Sequence, residues 1–397
     1  MSATLVINSG SSSLKYQLIS NADESRIASG IIERIGHEDS ILTHSQHGKS
    51  VTLEREITDH TAAFEAMETA FSDAGEPLAT LEVTAIGHRV VQGGSRFFAP
   101  TLITDQVAED INELSVLAPL HNPGQYQGIV AARQMFPQLP HVAVFDTAFH
   151  QTIPAAAHTY AIDANLAKEF RVRRYGFHGT SHQIVSERAA QFLKRPLTDL
   201  KQIVLHLGSG ASVCAVDGGI SVDTSMGLTP LQGLIMGTRS GDIDPSVLFH
   251  LHRQAGLSID QLDELLNKRS GLLGLTGDSD VRDVTARRAA GDPDAKLALD
   301  AYAYRIRHYI GAYMVALGGL DVITFTAGVG ENSHLVRKLV CEGLEPFGIK
   351  LDSDRNESGQ RGRYEISADD SAVKLLVIPT DEELEISRQT RSLIAAA

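Results

Sequence analysis

Two stretches about 200 residues apart share one pattern, and that pattern constrains the fold of this chain more than any other feature. Leu5-Val6-Ile7-Asn8-Ser9-Gly10 aligns with Ile203-Val204-Leu205-His206-Leu207-Gly208. Each apolar run passes through a turn of small residues into a second run, with Leu14, Tyr16 and Leu18 alternating in the first case and 211–216 following in the second. Side chains that alternate at period two mark half-buried strands, so the chain reads as a duplicated strand-turn-strand unit. Further alternating segments at 27–32 and 51–57 extend the first copy into a β-meander. Helical periodicity follows at 60–71, 106–117 and 125–136, with strands predicted at 84–91 and 141–145, which makes the first domain α/β. In the second half, a long helix at 294–317 precedes a third apolar strand that runs into glycines at 322–332. A last helix is expected over 381–396, with Thr380 and Glu383 spaced as a capping box. A chain of 397 residues holds two such domains with full cores, expected at 1–149 with the C-terminal helix 384–397, and at 150–383.

One stretch fits neither helix nor strand. Ser225 to Pro245, SMGLTPLQGLIMGTRSGDIDP, carries four glycines, two prolines and a single cation, Arg239. Glycine frees the backbone and proline breaks regular ladders, so this segment is expected to wind irregularly and to present amides and one guanidinium to an anion. Its apolar residues Leu228, Leu231, Leu234, Ile235 and Met236 predict a packed loop and not a mobile one. The rest of the chain is acidic, 49 Asp and Glu against 35 Lys and Arg, for a net charge of −14. That balance argues against non-specific binding of nucleic acid or an anionic membrane, so any phosphate recognition must be local. No apolar run approaches the ~18 residues of a membrane helix, the opening does not read as an export signal, and Cys214 and Cys341 stand alone. A cytosolic protein is expected.

Familiar phosphate motifs do not match. Residues 233–240 lack the spacing and lysine of GxxxxGK[ST], and both Gly208-Ser209-Gly210 and Gly328-Val329-Gly330 lack the third glycine of GxGxxG. What remains is three strand-to-glycine turns whose amides and hydroxyls together suit a polyphosphate, with Lys15 near the first and Arg282 beside Asp280 in a later loop. Arg89, His121, His178 and Arg239 are cations or histidines flanked by small or apolar residues. His178 and His182 have the spacing of a metal pair, but Gly179 separates His178 from the helix expected to carry His182, which argues against zinc. Asp146 ends an apolar strand, where α/β proteins commonly place a working carboxylate; a turn or N-cap role stays open. Asn8, Asp381 and Glu382 are oxygen ligands of the kind Mg²⁺ takes beside a nucleotide, or simply helix-start acids.

With these motifs in hand, the sequence closely resembles the acetate and propionate kinase family. The match runs in order through VINSGSSSLKYQ, GHRVVQGG, LAPLHNP, VFDTAFH, RRYGFHGTSH, HLGSGASV, DTSMGLTPLQGLIMGTRSGDIDP, SDVRD, FTAGVGEN and PTDEE. The resemblance implies a duplicated two-domain actin/sugar-kinase-like (ribonuclease H-like) α/β fold with an interdomain cleft, and a homodimer. It implies reversible transfer of the ATP γ-phosphoryl to acetate, giving acetyl phosphate and ADP, with Mg²⁺, or Mn²⁺ in its place. Carried over residue by residue, Asn8 and Glu382 would position the metal and Lys15 would lie near the phosphates. Arg89, Asp146, His178 and Arg239 would be catalytic. Arg89, Val91, Leu120, His121, Phe177 and Pro230 would bind the acetate. His206, Leu207, Gly208, Ser209, Gly210, Asp280, Val281, Arg282, Gly328, Val329, Gly330, Glu331 and Asn332 would contact the nucleotide.

This parts list suits a carboxylate acceptor, which is already ionised and needs charge neutralisation more than a base. Asp146 is therefore expected to orient an arginine or a metal-bound water. Two positions depart from the family pattern: Ser209 stands where HLGNG has asparagine, and Asp381 where PTNEE has it. Propionate is the nearest alternative acceptor, and a sugar kinase or a non-metabolic ATPase on the same superfold is more remote; two arginines with two histidines exceed what a neutral acceptor or a water needs.

Overall fold

A computed structural model describes residues 2–396, and their contacts divide into two units. One holds the residues up to Ala148 together with those from Asp381 onward; the other is Phe149–Thr380. Asp381, Glu382 and Glu383, expected with the second domain, thus group with the first.

The first unit is built on strands β1 (Ser2–Ser9), β2 (Ser13–Ser20), β3 (Arg26–Glu33), β4 (His37–Gln46), β5 (Lys49–Ile57), β6 (Glu82–Val90), β7 (Thr101–Leu102) and β8 (His141–Phe145), in spatial order 5-4-3-2-1-6-8-7. β1 to β5 form the expected antiparallel meander, while β6 pairs with β1 and β8 with β6 in parallel. β4 carries no hydrophobic alternation because its buried face is Ser40, Leu42, His44 and Gln46; His44 is satisfied there by the Tyr16 hydroxyl at 2.8 Å. The alternation in β1 sends Leu5 and Ile7 to one core with Phe64, Met67 and Phe71 of helix His60–Ala74. It sends Val6 to the opposite core with Val142, Val144 and Ile386 of the C-terminal helix Glu382–Ala396. The Thr380–Glu383 capping box does not form. Glu383 is drawn to the Lys15 ammonium, a stronger partner than a neutral amide, and Thr380 bonds the Ser181 hydroxyl. Asp381 caps instead, accepting the Leu384 N–H at 3.2 Å.

The second unit contains β9 (Lys201–Leu207), β10 (Ala211–Asp217), β11 (Ile220–Thr224), β12 (Val322–Thr326), β13 (Tyr364–Glu365) and β14 (Lys374–Val377), in order 11-10-9-12-14-13. The run 11-10-9-12-14 repeats 3-2-1-6-8 of the first unit, in the same succession of two antiparallel and two parallel pairings. The duplication read from two short motifs is therefore a duplication of whole sheets, the architecture expected of the actin-like superfold. Helix Gly179–Leu193 packs Ile184, Val185 and Ala189 on Val204, Cys214, Val216 and Val322. Helix Pro293–Leu317 packs against β9, β10 and β11.

Residues 225–245 are irregular, as their composition requires. Met226, Leu234 and Met236 are fully buried, and the loop doubles back on itself at Gly241. There φ is +70°, and a Cβ would lie 2.3 Å from the Leu234 carbonyl oxygen. Asp242 locks the return, donating its N–H to the Gly233 carbonyl and accepting the Gly233 N–H.

Candidate active site

In the first unit the charged residues gather at the ends of β1, β6 and β8. Arg89 on β6 pairs in register with Val144 on β8, which brings it beside Asp146, just past the end of β8. Its guanidinium forks onto the Asp146 carboxylate, Nε to Oδ1 at 3.1 Å and Nη2 to Oδ2 at 2.8 Å. Nη2 also lies 3.3 Å from Glu382, at the start of the C-terminal helix. Burial alone would lower the arginine's pKa, but the Asp146 and Glu382 carboxylates outweigh it and hold Arg89 protonated. Burial raises the Asp146 pKa from the ordinary carboxylate value, against the pull of Arg89. Both lie on a rigid support. The Val91 N–H bonds the Gln125 side chain, Gln92 and Asn122 bond one another through backbone and amide, and the Gly93 N–H bonds the Thr147 hydroxyl.

Lys15 sits opposite Asn8 in the β1–β2 ladder and bonds Glu383. Burial works against Glu383's ionisation, yet the ammonium keeps its pKa below the usual range. His121 stands at the head of helix Asn122–Met135 and favours the ionised form of Asp146. Val91 is buried, whereas Leu120 is half exposed.

In the second unit, Arg239 and His178 converge on the turn between β9 and β10. A Cβ placed on Gly210 would lie 3.1 Å from Arg239 Nη2 and 3.6 Å from His178 Nε2. Arg239 donates Nη1 to the Pro230 carbonyl at 2.7 Å, and no carboxylate lies against it among the described residues. Desolvation lowers its pKa. His178 precedes helix Gly179–Leu193 with φ 57° and ψ 24°, a left-handed conformation uncommon for any residue but glycine. Its ring stacks on His206 with centroids 4.1 Å apart. Phe177 is buried, and its carbonyl accepts from His150 Nε2.

The same turn opens a cavity of about 650 Å³ lined by Gly208, Ser209, Asp280, Val281, Arg282, Gly328, Val329 and Asn332 among the sequence-expected nucleotide contacts. A volume of that size is in the range of small-molecule and cofactor sites. Leu272, Tyr302 and Leu335 supply apolar wall, and Ser279, Thr285 and Ser333 supply hydroxyls. The sequence reading did not name these as contacts: Tyr302 and Thr285 lie inside helices Pro293–Leu317 and Val281–Ala289, and the others have no spacing that marks a ligand contact. His206, Leu207, Gly210, Gly330 and Glu331 do not line it. His206 and Leu207 are buried at the end of β9, and Glu331 accepts the Thr380 N–H. Arg282 points outward, 89% exposed, forked onto Asp280, which in turn caps helix Val281–Ala289. Hydrogen bonds from Arg282 draw the Asp280 pKa down to about 2. Also unforeseen is a set of buried hydroxyls behind the histidines: Ser212 on His178 and His182, Ser181 on His206, and Ser221 on His150. Single serines inside a helix or a strand carry no sequence signal of their own.

A family model described as the acetokinase family matches residues 3–388. An acetate kinase of Leifsonia xyli subsp. xyli (strain CTCB07) is 61% identical over 396 residues, covering 100% of both chains. The crystal structure of Porphyromonas gingivalis acetate kinase superposes with a TM-score of 0.94 at 41% identity, covering 99% of this chain and 100% of that one. A propionate kinase from Francisella tularensis subsp. tularensis SCHU S4 superposes with a TM-score of 0.93 at 40% identity, with the same coverage.

Proposed function

The chain belongs to the acetokinase family, and from that premise we propose that it transfers the γ-phosphoryl of ATP reversibly to acetate, giving acetyl phosphate and ADP. The observation that carries this reading is the state of Arg239: desolvated, without a counter-carboxylate among the described residues, and sharing the space over Gly210 with His178 Nε2. A guanidinium built in without a counter-ion suits an anion delivered by a substrate, and it adjoins a cavity large enough for the nucleotide.

Acetate is ionised at neutral pH, so no base has to remove a proton. One carboxylate oxygen forms a bond to the γ-phosphorus as the bond from phosphorus to the bridging oxygen of ADP breaks, and that electron pair leaves with ADP. Two anions must be brought together, so the residues act by charge and position. In this reading Arg239 and His178 donate hydrogen bonds to the group in transfer. We assign Arg89, held in one orientation by Asp146, and His121 to the acetate carboxylate, and Val91, Leu120, Phe177 and Pro230 to its methyl, each as its motif implies. Lys15 attends the phosphates.

A divalent cation, Mg²⁺ or Mn²⁺, supplies positive charge to the nucleotide phosphates when bound. Mg²⁺ takes one or two protein carboxylates beside phosphates and water. The donors suit that pattern: Asn8 and Glu382 offer hard oxygens, and no group of three or more His, Cys, Asp or Glu converges into a full cage among the described residues. We assign Asn8 and Glu382 to hold it. A cytosolic homodimer belongs to the same proposal; helix Ser246–Ala255 buries no residue and exposes Val247 and Phe249, which a second copy would cover.

The propionate kinase at a TM-score of 0.93 favours a second acceptor, since one methylene in an apolar pocket discriminates by only about 1–3 kcal/mol. Trapping the acyl phosphate as its hydroxamate, with ATP, Mg²⁺ and each of formate, acetate, propionate and butyrate, tests both. Acetate-dependent product that disappears in Arg239→Ala is the expected result. A higher kcat/KM for propionate moves the assignment to that acid, and no product with any acid overturns it.

A further inference from the structure

Behind His178 lies a chain of two imidazoles joined by one hydroxyl. Ser212, on β10, is fully buried, and its Oγ sits 2.9 Å from His178 Nδ1 and 2.8 Å from His182 Nε2. His182 is also fully buried, on the first turn of helix Gly179–Leu193, where its N–H donates to the His178 carbonyl at 2.9 Å. That helical bond holds the two rings at a set separation, one turn apart.

The direction of the hydrogen bonds follows from His182. Burial foremost, with His150 and His206 nearby, holds its pKa well below the ordinary histidine value, so the ring is neutral at pH 7 and has one proton to place. Its Nδ1 has no hydrogen-bond partner among the described residues. A proton there would be a buried donor without an acceptor, the rarer and costlier defect; on Nε2 the same proton meets the Ser212 hydroxyl. His182 therefore donates to Ser212. The hydroxyl, having accepted that bond, turns its own proton to His178 Nδ1. His178 Nδ1 is thus an acceptor, and the proton of the neutral ring sits on Nε2, the nitrogen that shares the space over Gly210 with Arg239 Nη2.

We propose that Ser212 and His182 are positioning residues that fix His178 in its Nε2–H tautomer, so that a neutral imidazole presents a donor to the oxygens of the transferring group. The role rests on the phosphoryl-transfer reading above. The opposite tautomer would aim a lone pair at an anion. The His178 ring is also held by its stack on His206 at 4.1 Å, itself backed by Ser181 at 2.8 Å. The Ser212 bond also holds the ring of a residue whose left-handed backbone is sparsely populated.

The test uses full-length protein labelled with ¹⁵N-histidine, in which long-range ¹⁵N–¹H correlations report each ring's tautomer and His178→Gln identifies the His178 signals. At neutral pH wild-type His178 is expected as Nε2–H. Ser212→Ala should mix the tautomers and lower kcat about tenfold or more, while the KM values for ATP and acetate stay within about twofold. Ser212→Thr, which keeps the hydroxyl, should recover most of the kcat. A wild-type His178 found as Nδ1–H overturns the proposal whatever the variants do, including a Ser212→Ala that fails to fold, and a folded Ser212→Ala with full kcat overturns it equally. The tautomer is read without turnover, so an enzyme that made no acyl phosphate would overturn the reaction and not the tautomer.

Discussion

Arg89 and Asp146 form a forked ion pair in which the carboxylate is almost wholly buried, 2% exposed, and the guanidinium is 20% exposed. One edge of the fork is spent on Asp146, so the arginine is presented in a single orientation. Asp146→Asn keeps the shape and removes the charge that orients the fork. Turnover should fall about 10²-fold, as for loss of a positioned catalytic group, with acetate KM raised less. Asp146→Ala should cost about 1–3 kcal/mol in denaturant unfolding, because Arg89 loses a buried charged hydrogen-bond partner and keeps only Glu382 among the described residues. Near-full turnover of Asp146→Asn at saturating Mg²⁺ would refute the orienting role.

Gly210 has an ordinary backbone conformation, so only space restricts it. A methyl there would stand 3.1 Å from Arg239 Nη2, tighter than comfortable van der Waals contact. Gly210→Ala is expected to lower kcat about tenfold with little change in melting temperature. A variant of wild-type activity would mean that the converging groups do not meet the substrate at this turn.

Ser209 is exposed on the rim of the nucleotide-sized cavity, where the family pattern has asparagine. An amide reaches further than a hydroxyl and carries two donors. Ser209→Asn should therefore lower the ATP KM a few-fold at unchanged kcat, and initial rates across ATP concentrations decide it.

Asp381 caps the C-terminal helix through the Leu384 N–H. Asparagine caps equally well, so Asp381→Asn should leave stability unchanged, whereas Asp381→Ala should cost about 1 kcal/mol. Equal losses in both, measured by urea unfolding, would tie the residue's role to its charge.

Burial foremost pulls the His150 pKa down to about 4, with its ring bonded to Ser221 and the Phe177 carbonyl. The unfolded chain binds this proton near pH 6.5, the folded chain only near pH 4. The unfolded state thus holds more protons between those values, and stability falls as pH drops from about 6.5 toward 4. His150→Gln, which does not titrate, should flatten that part of the melting-temperature profile. An unchanged acid limb would assign it to other groups.

Much of this was legible in the chain because it rests on local pattern. The period-two runs at Leu5–Ile7 and Ile203–Leu205 declared the duplicated sheets, and the glycines and prolines of 225–245 declared an irregular loop around Arg239. β4 was not legible, since three of its four inward residues, Ser40, His44 and Gln46, are polar, and His44 is satisfied by a tertiary partner, Tyr16. Nor was the true cap of the last helix, where Lys15, more than 360 residues away, takes Glu383 from its expected role.

The order of the motifs and the residue types that carry charge were determined by the sequence alone, because backbone periodicity, turn chemistry and ionisation act over a few neighbouring residues. Only the tertiary structure decided that Arg89 forks onto Asp146 across two parallel strands, that Arg239 meets His178 over Gly210, and that Ser212 joins two histidines. Hydrogen bonds and ion pairs depend on distances of about 3 Å and on burial, and residues far apart in the chain acquire both only when the sheets assemble.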